Sequence, residues 1–287
     1  MDINQLIKKG TNTTEIVVKD GVPVIEFKLF QPVKEIRHGF STRLGGVSEG
    51  CFESMNLSFT RGDDREKVME NFRRFGHAVG IDCTQMVFSD QTHTTNVGIV
   101  TEEDLGKGIL RQKDYTDVDG LVTNVRGLGL VTFFADCVPL FFVDDVRHVI
   151  GLSHSGWRGT AGKIGIETIK VMKNYFDCRP EHIKAAIGPS ICGQCYEISK
   201  DVADIFKENF SAKAYDSFMT DKGGGKYMLD LWKANKAVLL EGGLLETNIA
   251  VTDICTCCNS EVMWSHRKTG NARGSLAAFL MLENGDR

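Results

Sequence analysis

Between residues 85 and 153, five short apolar runs follow one another: QMVFSD (85–90), GLVTN (120–124), LGLVTFF (128–134), PLFFV (139–143) and HVIGLS (148–153). Each is rich in β-branched and aromatic residues and stops at turn residues, as strands buried on both faces do. A hairpin precedes them, TEIVVK (14–19) and VPVIEFKL (23–30) joined at Asp20-Gly21. Helical spacing appears over 65–79, where Val68, Phe72, Phe75 and Val79 recur behind an N-cap at Asp63 or Asp64. It returns over 160–176 with Ile164, Thr168, Val171, Met172 and Tyr175. Further on, KAAIG (184–188) and 249–253 read as strands and 199–209 and 229–241 as helices, while the apolar tail 274–282 fits either. Strands and helices mix without strict βαβ alternation. The expected fold is α+β, a mixed β-sheet layered between helices (α/β/α). No linker or repeat divides the chain, so 1–287 is expected to be a single domain.

Charge and hydropathy narrow the function. Thirty-four basic against 38 acidic side chains leave a net charge of −4, which gives no electrostatic reason to expect nucleic acid or an anionic membrane as partner. No apolar run approaches the roughly 20 residues of a membrane span. The start, MDINQLIKKGTNTTEIVVKDG, lacks the apolar core of a signal peptide, so a cytoplasmic location is expected. The nine cysteines are scattered and odd in number, which argues against a disulfide framework. There is no GxGxxG or Walker sequence.

Three chemistry-bearing side chains stand where an apolar run stops: His93 in QTHTTN, Cys137 in ADCVP and His154 in HSGWRG. Loops at strand ends are where sites are built on sheets. Two imidazoles and a thiolate suit zinc, and three protein ligands leave a coordination position open, the catalytic pattern. Their separations of 44 and 17 residues form no local motif. The same residues also fit hydrogen-bonded loop histidines beside a core cysteine, or a Cys–His nucleophile pair. In HSGWRGTAG, a helix start at Thr160 among Gly156, Gly159 and Gly162, with Arg158 beside it, is a candidate phosphate site or a tightly packed turn. Arg43, in the Gly- and Ser-rich loop HGFSTRLGGVSEG (38–50), is a candidate phosphate clamp or a solvated arginine. The basic stretch SHRKTGNARG offers His266, Arg267 and Arg273 to the same anion. Asp117 and Asp119 in DVDG and Asp136, next to Cys137, are carboxylates near the strand ends, and Asp136 is read either as one that orients a ligand histidine or as a turn cap. Cys192 and Cys195 with the 255–258 cluster are not expected to hold a Cys₄ zinc: the first pair reads as a strand-to-helix loop, and the second is read as no CxxC knuckle.

Taken in order, HGFSTRLGGVS (38–48), QTH (91–93), DVDGLVTN (117–124), ADCVPLFF (135–142), HSGWRGT (154–160), AAIGPSIC…CYEIS (185–199), DLWKAN (230–235) and SHRKTGNARG (265–274) resemble one family. It is the purine nucleoside phosphorylase family also known as laccase-domain or multicopper polyphenol oxidase proteins, the YfiH type. The resemblance implies a layered α/β/α fold with His93, Cys137 and His154 as metal-binding, catalytic residues and zinc or copper as the ion. It further implies phosphorolysis of adenosine, inosine and methylthioadenosine, with adenosine deamination as a second activity. Purine nucleosides and phosphate are then the expected small-molecule partners, with Arg43 and Arg158 the candidates for the phosphate. Copper-dependent phenol oxidation and Cys–His thiol hydrolysis are the alternatives. The first is disfavoured because several coppers need many histidines and the seven here are widely scattered.

Overall fold

The computed structural model describes residues 2–10 and 12–284. Two six-stranded mixed sheets form its centre. The first runs, in spatial order, Thr14–Lys19, Val22–Phe27, Ile36–Ser41, Leu276–Leu282, Gly129–Phe134 and Met86–Phe88. The second runs Ile249–Val251, Lys184–Ile187, Val138–Asp144, Val149–Ser155, Gly120–Thr123 and Val97–Ile99. Neighbours are antiparallel except for three pairs: Met86–Phe88 with Gly129–Phe134, Lys184–Ile187 with Ile249–Val251, and Val97–Ile99 with Gly120–Thr123. A small third sheet joins Glu197–Ser199, Lys226–Leu229 and Met219–Gly223.

The two large sheets pack on each other and are closed by helices outside. Alternation along the strands shows this directly. Phe141 and Val143 join Leu130, Phe134, Ala278 and Leu280 between the sheets. Val138, Leu140 and Phe142 point the other way, into a core with the helices Ile164–Phe176 and Leu231–Glu241. The helix Arg65–Val79 covers the outer face of the first sheet, with Val68, Phe72, Phe75 and Val79 all buried and Phe75 edge-on to Phe279 at 4.9 Å. Strands buried on both faces need no polar alternation, which is why the five apolar runs are continuous. The α+β class holds, and its β layer is two sheets deep.

Several elements differ in detail from the sequence pattern. Asp64 is the N-cap, accepting from the Glu66 and Lys67 amides, whereas Asp63 accepts from Ser48 and Asn56. The tail is a strand, Leu276–Leu282, central in the first sheet. The helix expected over 160–176 is two, Trp157–Ala161 and Ile164–Phe176, separated by Gly162 and a left-handed Lys163. Tyr175, expected on the apolar face, is exposed. Ile36–Ser41 is a strand, although the glycine and serine content from residue 38 onward suggests a loop. Among the described residues, no helix is long and apolar enough to cross a membrane.

Candidate active site

The three expected residues meet where the chain passes between sheets. His93 lies in the loop from Met86–Phe88 of the first sheet to Val97–Ile99 of the second. Cys137 lies in the turn from Gly129–Phe134 of the first to Val138–Asp144 of the second. His154 is one residue from the end of Val149–Ser155, beside Pro139 in the ladder. The Cys137 sulfur and a nitrogen of each ring lie within 4.8 Å of one another. The rings stand nearly perpendicular, with centroids 4.8 Å apart. Bonds of about 2.0–2.1 Å to nitrogen and 2.3 Å to sulfur would place tetrahedral ligand atoms roughly 3.3–3.8 Å apart, inside that bound. Burial opposes charge on the inner two groups, but their mutual attraction prevails. The His154 and His93 rings bring the Cys137 thiol down to about 6, and the Cys137 charge with the Asp119 hydrogen bond takes His154 up to about 9.

Gly156 explains why these side chains can converge. Its backbone, at φ −69°, suits any residue. The space does not: a Cβ there would stand 3.0 Å from His93 Cδ2 and 3.1 Å from Cys137 Sγ. Gly156→Ala is therefore expected to push the trio apart and weaken metal binding, at the roughly 1–3 kcal/mol typical of overpacking. That is about a fivefold to 150-fold loss of affinity, measurable by competition with a chelator. An unchanged affinity would mean that the loop yields freely.

Sequence reasoning noticed the DVDG carboxylates but gave the orienting role to Asp136, whereas Asp119 holds the site together. Asp119, fully buried, accepts the backbone N–H groups of Thr92, His93 and Thr94 at 2.9–3.1 Å. Three successive amides gathered on one anion hold His93 at a left-handed φ of 68°. Asp119 Oδ1 also lies 2.7 Å from His154 Nδ1, which leaves Nε2 as the ring's free nitrogen. Burial would raise the Asp119 carboxyl, but the hydrogen bonds from His154 and the loop amides hold it below the usual range. A carboxylate behind a ligand histidine sets its tautomer and orientation. Asp136 does not play this part. It accepts from Thr256 Oγ1 and the Arg267 amide, both at 2.6 Å, and so braces the turn that carries Cys137.

The trio forms one wall of a cavity of about 620 Å³, well within the range of small-molecule sites. Phe88, Phe133 and Phe134 supply an aromatic wall, and Arg61, Arg273, Lys113 and His266 line the cavity as well. Arg273 is buried, and its Nη1 donates to the Gly274 carbonyl while its Nε has no partner. Burial and the charge of Arg61 lower the Arg273 guanidinium to about 10. Neither arginine makes an ion pair with a carboxylate among the described residues.

Neither arginine expected at the phosphate lines this cavity. Arg43 donates to the carbonyls of Glu53 and Ser260 and lies 4.1 Å from the Trp264 ring centroid, so each of its three nitrogens already makes a hydrogen bond within the protein. Arg158 is exposed and stacks on Trp157 at 4.2 Å. The helix it belongs to, Trp157–Ala161, is only five residues long, too short to develop an appreciable dipole. Arg267 likewise turns away, donating to the Glu197 carbonyl.

A family model described as "Multi-copper polyphenol oxidoreductase laccase" matches residues 37–283. The chain belongs to that family. It is 36% identical to "Purine nucleoside phosphorylase YlmD" of Bacillus subtilis, covering 86% of this chain and 88% of the relative. It is 33% identical to "Adenosine deaminase RL5" of an unknown prokaryotic organism, covering 80% of this chain and 88% of that one. Among solved structures, the Bacillus licheniformis protein YfiH superposes with a TM-score of 0.88 at 30% identity, over 95% of this chain and all of its own. The laccase family name thus spans relatives whose own names are those of purine nucleoside enzymes.

Proposed function

We propose that this chain is a purine nucleoside phosphorylase. It converts adenosine, inosine and methylthioadenosine with phosphate to the free base and the (methylthio)ribose 1-phosphate, and deaminates adenosine as a second activity, in the cytoplasm. The observation that carries the reading is that the His93–Cys137–His154 trio and two arginines without an ion pair among the described residues, Arg61 and Arg273, line one cavity. The names of the relatives agree with it.

His93, Cys137 and His154 would hold the ion, and two imidazoles with a thiolate suit zinc or copper. The ion would supply Lewis acidity at its open position. The remaining work falls to the chain's own side chains. Arg61 and Arg273 bind phosphate, whose charge offsets two otherwise unpaired guanidiniums. Phe88 and Phe133 give a purine ring faces and edges to pack on. Phosphorolysis requires the phosphate to sit against the ribose carbon while positive charge develops on the sugar. In this reading, the two arginines and the trio bracket the sugar between them.

The test is direct. Metal-replete protein incubated with adenosine and phosphate should release adenine and ribose 1-phosphate, with adenine release dependent on phosphate. Cys137→Ser should lower that rate by at least about a hundredfold, since it weakens a ligand on which the site depends. Absence of phosphate-dependent base release from metal-replete protein would overturn the proposal. Phenol oxidation by several coppers finds less support. Among the described residues only two groups of three or more potential ligands converge, and one contains no histidine.

A further inference from the structure

The second of those groups lies away from the cavity. The sulfurs of Cys192, Cys195, Cys255 and Cys258 all lie within 4.8 Å of one another. Contrary to the expectation from sequence, Cys255 and Cys258 are a CxxC pair like Cys192 and Cys195, with Cys257 the extra residue inside it. The fold explains why the pairs meet. Lys184–Ile187 and Ile249–Val251 are adjacent parallel strands, and their extensions pair again, shifted by one residue, at the Ser190–Cys255 bridge. Each CxxC turn thus follows the same end of a neighbouring strand, and 59 intervening residues do not separate the turns in space.

We propose that Cys192, Cys195, Cys255 and Cys258 bind a structural zinc ion. Four sulfurs at about 2.3 Å from zinc stand roughly 3.8 Å apart in a tetrahedron, which the observed cluster accommodates. An all-sulfur set with no carboxylate or imidazole selects a thiophilic ion over magnesium or calcium. The surroundings favour thiolates. The amides of Cys192 and Cys258 donate to Cys255 Sγ at 3.3 and 3.4 Å, and Lys9 Nζ donates to Cys192 Sγ at 3.2 Å. Cys192 and Cys255 are buried, whereas Cys258 is at the surface, which gives the ion a way in. All the described cysteines are free thiols, so loading exchanges thiol protons for Zn²⁺ without any redox step.

The ion would fasten three segments that are far apart in the chain. Lys9 brings the amino-terminal segment to the cluster, where its amide also donates to the Asp253 carbonyl. Thr256, inside the second CxxC, donates to Asp136, and the Ile191 amide just before the first donates to the Asp136 carbonyl. Asp136 precedes Cys137. A closed sulfur site would therefore stiffen the turn that presents Cys137 to the cavity.

Metal counting on protein kept in reductant tests this without reference to turnover. Wild type should hold two zinc ions per chain, Cys137→Ser one, and Cys195→Ser or Cys258→Ser one. In Cys137→Ser loaded with cobalt, the sulfur-to-cobalt charge-transfer bands of a four-thiolate site should persist. A second measurement needs no variant: in native wild type, zinc should protect Cys192, Cys195, Cys255 and Cys258 from iodoacetamide, and a strong chelator should release them together. The proposal is overturned if Cys137→Ser binds no zinc, if the four thiols alkylate equally fast with and without chelator, or if they are recovered as disulfides. None of these outcomes bears on nucleoside turnover, so failure here leaves the phosphorylase proposal standing.

Discussion

Asp119→Asn should lower metal affinity and kcat/KM by about tenfold to a hundredfold, the usual cost of losing the group behind a ligand histidine. The side chain keeps its size but loses half its acceptors. Oδ1 faces the His93 amide and His154 Nδ1, and Oδ2 faces the amides of Thr92 and Thr94 and the Thr94 hydroxyl. Whichever way the amide is turned, its NH₂ points at two or more donors. With no solvent at this depth, that conflict should also cost roughly 3–5 kcal/mol of stability, as breaking a buried pair does. Thermal unfolding and chelator competition on the same protein check both parts. The Asp119 account fails if metal affinity stays within twofold of wild type. Asp136→Asn is the informative contrast. Its carboxylate holds Thr256 and the Arg267 amide, so it should loosen the Cys137 turn while leaving the His154 tautomer alone.

The contrast between these two aspartates shows what a sequence makes legible. Strands buried on both faces advertise themselves as continuous apolar runs, and the polar residue that ends each run stands out. His93, Cys137 and His154 are legible in the amino-acid sequence for that reason. A carboxylate reached across space leaves no such mark. Asp119 is 35 residues from the ring it binds, and its value lies in four partners from two segments, whereas Asp136 looked better placed only because it adjoins Cys137. The same holds for the side chains proposed to bind the anion. Glycines flanking Arg158 suggested a helix terminus, but the helix is short and the arginine faces out. The buried arginine, Arg273, comes from a basic loop that looked like any solvated turn, since which of its side chains is buried depends on how the loop folds back. The tail was ambiguous because a fully buried strand and a buried helix turn share the same composition. The pairing of the two CxxC turns was set aside for a related reason: the parallel strand pairing that brings them together is a property of the sheet.

Arg273→Met should raise the KM for phosphate by roughly tenfold to a hundredfold, the worth of about 1.5–3 kcal/mol for hydrogen bonds to a charged group. Methionine keeps the apolar length of the side chain and removes its charge. Because the guanidinium is buried, has an unpartnered Nε and is depressed by burial and by Arg61, its removal should leave stability in phosphate-free buffer unchanged or higher. Deamination consumes water rather than phosphate, so adenosine deamination should stay within a few-fold of wild type while phosphorolysis at low phosphate collapses. That split separates a phosphate-binding role from general damage to the cavity, which would reduce both reactions together. Arg43→Ala should leave the phosphate KM untouched and lower stability instead, because its guanidinium ties Glu53 and Ser260 together against Trp264. If Arg43→Ala moves the phosphate KM and Arg273→Met does not, the anion lies at the Arg43 loop and the assignment of the cavity is wrong.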